Sequence, residues 1–197
     1  MTRVSQEYVL KRWLELEVQK PDVPTMDVSS LSEQEALDEL LNAKPGAASF
    51  VWRKAPIEWR RLTLSRDAFE GLRVIDGPET LSWRALSPDD TILGAARRIS
   101  AGDIAILESE TGVDVRRVRA FSENPSDDPL VLIDHRDCLP PRVADGNYRA
   151  TARALRMLEL GSYDTVRAYL GVPSKSLLES IRESVCDLVR RRRGRTW

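Results

Sequence analysis

Apolar residues change their spacing along this chain, and the changes mark its elements. Over residues 5–19, Tyr8, Val9, Leu10, Trp13, Leu14 and Leu16 recur at helical spacing, with charged residues on the other face. Pro21 and Pro24 end that helix. Ser32 followed three residues later by Glu35 forms a capping box, and Leu37, Leu40 and Leu41 carry a second helical stripe as far as Pro45-Gly46. No strand signal lies between the two helices, so residues 1–45 are expected to form a helical N-terminal arm.

The pattern then shortens. Residues 50–53 and 59–64 read as extended, and in the latter Trp59, Arg61 and Thr63 alternate with Arg60, Leu62 and Leu64. Residues 66–72 suit one or two helical turns, and Asp76-Gly77-Pro78 is a turn. Residues 83–86 suit a short strand. Ser87-Pro88-Asp89-Asp90 has the chemistry of a helix start, with a cap, a proline and first-turn acids. Ile92, Leu93, Ala96 and Ile99 would then face inward until Ala101-Gly102. Residues 104–107 and 113–121 are expected to pair as a hairpin about Thr111-Gly112, with a helix followed by one strand as the alternative.

Leu130-Val131-Leu132-Ile133 reads as a buried strand. After a two-proline loop, Arg142-Val143-Ala144 forms a second short apolar stretch. It runs through Asp145-Gly146 into a helix whose buried side is Ala150, Ala154, Leu155, Leu158 and Leu160, ending near Gly161. Residues 165–170 read as a strand, and Pro173-Ser174 opens a last helix with Leu177, Leu178, Ile181, Val185, Leu188 and Val189 on one side. The expected fold class is α/β (α+β mixed), a small mixed sheet flanked by helices. Residues 46–173 would form the main domain, and residues 174–197 a C-terminal helix with a basic tail. No internal repeat appears.

Composition narrows the function classes. The 197 residues are 42% hydrophobic and 31% charged, with 30 Lys and Arg against 31 Asp and Glu, a formal net charge of −1. A surface so balanced does not advertise nucleic acid or anionic membrane, so any such contact must be local. The N-terminus lacks the apolar segment of a signal peptide, and no run approaches a membrane span; a cytoplasmic protein is expected. Cys138 and Cys186 fit no zinc or redox spacing, and the one histidine, His135, leaves little for a histidine-built metal site.

The most specific chemistry lies in Asp145-Gly146-Asn147-Tyr148-Arg149-Ala150-Thr151-Ala152. A glycine there lets backbone approach a ligand, and the first turn of a helix offers unpaired N–H groups that favour an anion. Arg149 can fork onto phosphate oxygens or pair with Asp145 or Asp134. Asp145 reads as a general base, as a magnesium ligand, or as a turn residue bonding nearby amides. Asn147 donates to phosphate or starts the helix, and Thr151 offers a hydroxyl in the same turn. Asp134-His135-Arg136-Asp137 is a second polar cluster in which His135 suits acid–base chemistry or a solvated loop. At the C-terminus, Arg190, Arg191, Arg192, Arg193 and Arg195 form a basic patch for nucleic acid or an acidic protein partner, or oppose the helix dipole.

Residues 130–172 resemble the ParB/sulfiredoxin-like superfamily, whose members carry a strand, a Gly-x-x-Arg loop and an alanine-rich helix. The resemblance implies nucleotide handling: Gly146, Asn147, Tyr148, Arg149 and Thr151 would hold a nucleotide's phosphates, with magnesium possible, and Asp145 would serve a phosphotransferase or nucleotide hydrolase. Sulfiredoxins place a reactive Cys and a His where this chain has Asn147 and Tyr148, which argues against sulfinic-acid repair. Partition proteins carry Glu-Arg-Arg after the glycine and continue into a helix-turn-helix domain; here Asn147-Tyr148-Arg149 follows the glycine and one terminal helix is expected, which argues against centromere binding. The serine-kinase loop of the superfamily keeps an acid matching Asp145, but has a histidine where Tyr148 stands. Such a kinase needs a distant acid, for which Glu58, Asp67 and Asp90 are candidates. The alternative is a non-enzymatic module recruiting a protein or nucleic acid through the helical arm and arginine tail. A nuclease ranks third.

Overall fold

The computed structural model describes residues 1–20, 23–46, 51, 57–76, 82–135 and 139–173. The expected last helix, the arginine tail, both cysteines and most of the expected strand at 50–53 lie outside these residues.

A five-stranded mixed sheet is ordered β1-β2-β5-β3-β4. Its strands are β1 (Thr2–Val4), β2 (Ile57–Leu64), β3 (Leu130–Ile133), β4 (Arg142–Asp145) and β5 (Val166–Pro173). Strand β5 is central, antiparallel to β2 along its whole length and parallel to β3. Strand β4 pairs antiparallel with β3, placing Val131 opposite Asp145 and Ile133 opposite Arg142.

Eight helices lie alongside the sheet among the described residues: α1 (Gln6–Glu17), α2 (Glu33–Ala43), α3 (Arg66–Glu70), α4 (Ser82–Leu86), α5 (Ile92–Ala101), α6 (Ile104–Thr111), α7 (Val115–Glu123) and α8 (Asn147–Leu160). The fold is therefore mixed α/β, as the hydrophobic pattern implies. The all-apolar run of β3 follows from burial on both faces. Val131 and Ile133 pack with Trp59, Tyr169 and the N-terminal helices. Leu130 and Leu132 pack with Val143, Ala168 and helices α5, α7 and α8.

The N-terminal segment does not stand apart as an arm. Strand β1 pairs with β2, and α1 buries Val9, Leu10, Trp13 and Leu14 against the sheet. At about 1.5–3 kcal/mol per buried large apolar side chain, releasing α1 would cost an amount comparable to a domain's whole stability of about 5–15 kcal/mol. The capping box at Ser32 and Glu35 forms as expected.

Three local expectations are corrected. Residues 83–86 are helical rather than extended, because Trp83 and Leu86, three apart, bury one side of α4. Ser87-Pro88-Asp89-Asp90 does not begin the next helix. The Asp89 carboxylate accepts from the Thr91 amide and hydroxyl, and Thr91 becomes the cap, its hydroxyl accepting from Gly94 N at 2.8 Å. The expected hairpin over residues 104–121 is instead the helix pair α6 and α7. Asp103 and Asp114 each cap one helix, and Gly112 ends α6 at φ 69°.

Candidate functional site

Strand β4 delivers Asp145 to the rim of a cavity of about 370 Å³. The chain turns there at Gly146, at φ 95°; an added Cβ would lie 2.7 Å from Leu130 Cδ2, so the position requires glycine. Helix α8 starts immediately after, with no side chain capping it. The amides of Asn147, Tyr148 and Arg149 belong to its first turn and so make no intrahelical bond. All three residues line the cavity.

Cations dominate the walls. Among the described residues, Lys20, Lys44, Arg84, Arg117 and Arg149 line the cavity against Asp76 and Asp145, an excess of three positive charges. Asp145 is 5% exposed; it is ion-paired to Lys44 and lies 3.0 Å from Arg149 Nη2. Lys44 also reaches Glu17 Oε1 at 3.1 Å, and Glu17 in turn pairs with Lys20. This alternating chain ties α1 and the end of α2 to the loop before α8. Burial opposes ionisation of Asp145, but the Lys44 ammonium and Arg149 guanidinium outweigh it and hold the carboxyl below its ordinary range. Burial likewise opposes the charge on Lys44, and Asp145 with Glu17 overcomes it and raises that pKa. Behind the cavity, Asp90 accepts from both Arg73 and Arg142.

Aromatic rings complete the wall. Trp83 meets Tyr148 edge-on with centroids 4.8 Å apart, and the Arg117 guanidinium lies 4.9 Å from the Tyr148 centroid and 5.8 Å from that of Phe121.

The residues singled out from the sequence fall into different places. Asp145, Gly146, Tyr148 and Arg149 come together at the cavity. Asn147 lines it too, but its side chain is committed: Oδ1 accepts from Ile75 N and Nδ2 donates to Val143 O, both at 3.0 Å. That leaves only its amide for a ligand. Thr151 is fully buried in α8 and is not part of the cavity lining, since the helical rotation that turns Arg149 outward turns Thr151 into the core. His135 follows β3 at the Arg142 end of β4, the end opposite Asp145, so the two are not brought together. Of the candidate distant acids, Asp90 serves an arginine cluster. Asp76, which was not among those candidates, is the second carboxylate at the cavity among the described residues. Lys20, Lys44, Arg84 and Arg117 were not signalled by the sequence, since each arrives from a different element.

Among the described residues, no group of three His, Cys, Asp or Glu side chains converges to hold a metal ion. No helix among them is long and apolar enough to cross a membrane. Comparison with known proteins adds no kinship: no family model, no curated protein and no solved structure matches the chain.

Proposed function

We propose that the cavity at the start of α8 binds a phosphate-bearing ligand, with a nucleotide as the first class to test. The observation that carries this reading is that the three first-turn residues of α8, whose amides have no intrahelical partner, line a cavity in which, among the described residues, cations outnumber acids. Trp83 and Tyr148 supply the aromatic part of the cavity wall against which a base would pack. The strand, the glycine at positive φ and the helix carrying Arg149 in its first turn support kinship with the ParB/sulfiredoxin-like superfamily.

The geometry favours binding over general-base chemistry at Asp145. A carboxylate paired to two cations, with its pKa lowered, is a weak base. It also fits magnesium poorly, because both of its oxygens already face cations. The protein's own lysines and arginines would instead supply the positive charge that a phosphate needs.

The test is thermal unfolding of the protein with ATP, ADP, AMP, CTP and GTP, with and without magnesium, beside Arg149→Ala. A ligand that binds only the folded state raises its stability. A rise with one or more nucleotides in the parent protein, strongly reduced in the variant relative to its own unliganded baseline, is expected. No rise with any nucleotide, or an equal rise in both proteins, would remove this reading.

A further inference from the structure

We infer that Arg117, on α7 and far in sequence from the Asp145 loop, is a ligand-binding residue of this cavity and supplies its uncommitted positive charge. The inference rests on the phosphate-site reading above. Five cations line the cavity among the described residues, and four of them are already engaged with carboxylates. Lys44 is shared between Asp145 and Glu17, Lys20 pairs with Glu17, and Arg149 pairs with Asp145. Arg84 lies near Asp76 and Asp90, at 3.8 and 3.7 Å. For any of these to serve an incoming anion in full, an existing partner must be loosened, which is costly for a charge as buried as Asp145.

Arg117 differs. Among the described residues its guanidinium has no carboxylate partner, and it rests against the rings of Tyr148 and Phe121. Aromatic faces hold a guanidinium without using its N–H donors, so these remain available to oxygen ligands. Because the side chain is already placed, less rotamer freedom is lost when a ligand arrives. Its backbone is also fixed, since Arg117 N donates to the Asp114 cap at 2.8 Å. Tyr148 thereby gains a second part in the site: it seats the cation that its own phenol lacks.

Neighbouring Arg116 is the internal control. It is 72% exposed, pairs with Glu108 at 2.8 Å, and does not line this cavity.

The experiment measures calorimetric binding of ADP and inorganic pyrophosphate to the parent protein, Arg117→Gln, Arg117→Lys, Arg116→Gln and Arg149→Ala at several salt concentrations. Arg117→Gln should weaken both probes roughly ten- to a hundred-fold, the range for a charged hydrogen bond. It should also flatten the salt dependence of affinity. Arg117→Lys should retain most of the salt dependence, and Arg116→Gln should bind like the parent. A residue that only props Tyr148 would leave the salt dependence unchanged. If Arg117→Gln binds both probes as tightly as the parent while Arg149→Ala does not, this inference falls and the phosphate site stands. If the parent binds neither probe, the phosphate-site reading falls and this inference with it.

Discussion

Replacing Lys44 by methionine tests the ion network that joins the two ends of the described chain. The substitution keeps the aliphatic stem and removes the ammonium shared by Asp145 and Glu17. Breaking a buried pair on one side costs about 3–5 kcal/mol when the remaining charge is left alone. Here Asp145 keeps Arg149 and Glu17 keeps Lys20, so the loss should fall to about 2–3 kcal/mol. For a chain of this size that corresponds to a fall in Tm of roughly 4–12 °C. The pH dependence gives a sharper signature. A carboxyl whose folded-state pKa is depressed adds stability that is fully present above the unfolded value, 3.8, and is lost as pH falls through the folded value. Without Lys44 the strongest of the influences that lower it is gone, and the folded pKa rises relative to the parent's. Asp145 in the variant then becomes less costly once protonated. The stability difference between parent and Lys44→Met, measured by urea unfolding, should therefore be large at neutral pH and shrink at acid pH, below 3.8, as the parent's Asp145 is protonated in turn. An equal difference at both pH values would refute the electrostatic account and leave only lost packing. No difference at neutral pH would refute the network altogether.

Two further substitutions separate structure from ligand contact and helix from hairpin. Asn147→Ala removes bonds to the half-buried Ile75 N and the buried Val143 O and leaves both without that partner, so it should cost about 2–4 kcal/mol in urea unfolding. Ligand affinity of the folded variant should change less than in Arg149→Ala; a stable variant with lost affinity would return the side chain to the ligand. Asp103→Ala and Asp114→Ala should each cost about 1 kcal/mol and reduce helical circular dichroism, because each removes an N-cap. Unchanged stability in both would speak for an extended segment.

The sequence is legible where local chemistry and burial agree. The apolar run of β3 and the Ser32 capping box each dictate one structure, and the Asp145-Gly146 turn dictates where α8 begins. Residues 104–121 mislead because Ile104, Ile106, Val113 and Val115 are at home in strands. Two aspartate caps and a left-handed Gly112 override that preference. The Ser87–Asp90 stretch misleads in the opposite way: its cap chemistry is real, but it organises a turn that hands the capping role to Thr91. At the site, the loop could be read from its own residues. The cations could not. Lys44 meets Asp145 across 101 residues, and Arg117 enters only because α7 packs on α8. No local spacing encodes either contact.

The position of β5 has a consequence for how the molecule is made. It is the last described strand in sequence and the middle strand of the sheet. Until it is synthesised, the strands already made form two separate antiparallel pairs, β1 with β2 and β3 with β4, each presenting an unpaired edge. The two hydrophobic cores stay open for the same interval, because Tyr169 belongs to one and Val166 and Ala168 to the other. A nascent chain paused before residue 166 therefore carries both halves of the cavity with no sheet to hold them in register. Such a chain is most exposed to aggregation just before β5 is added.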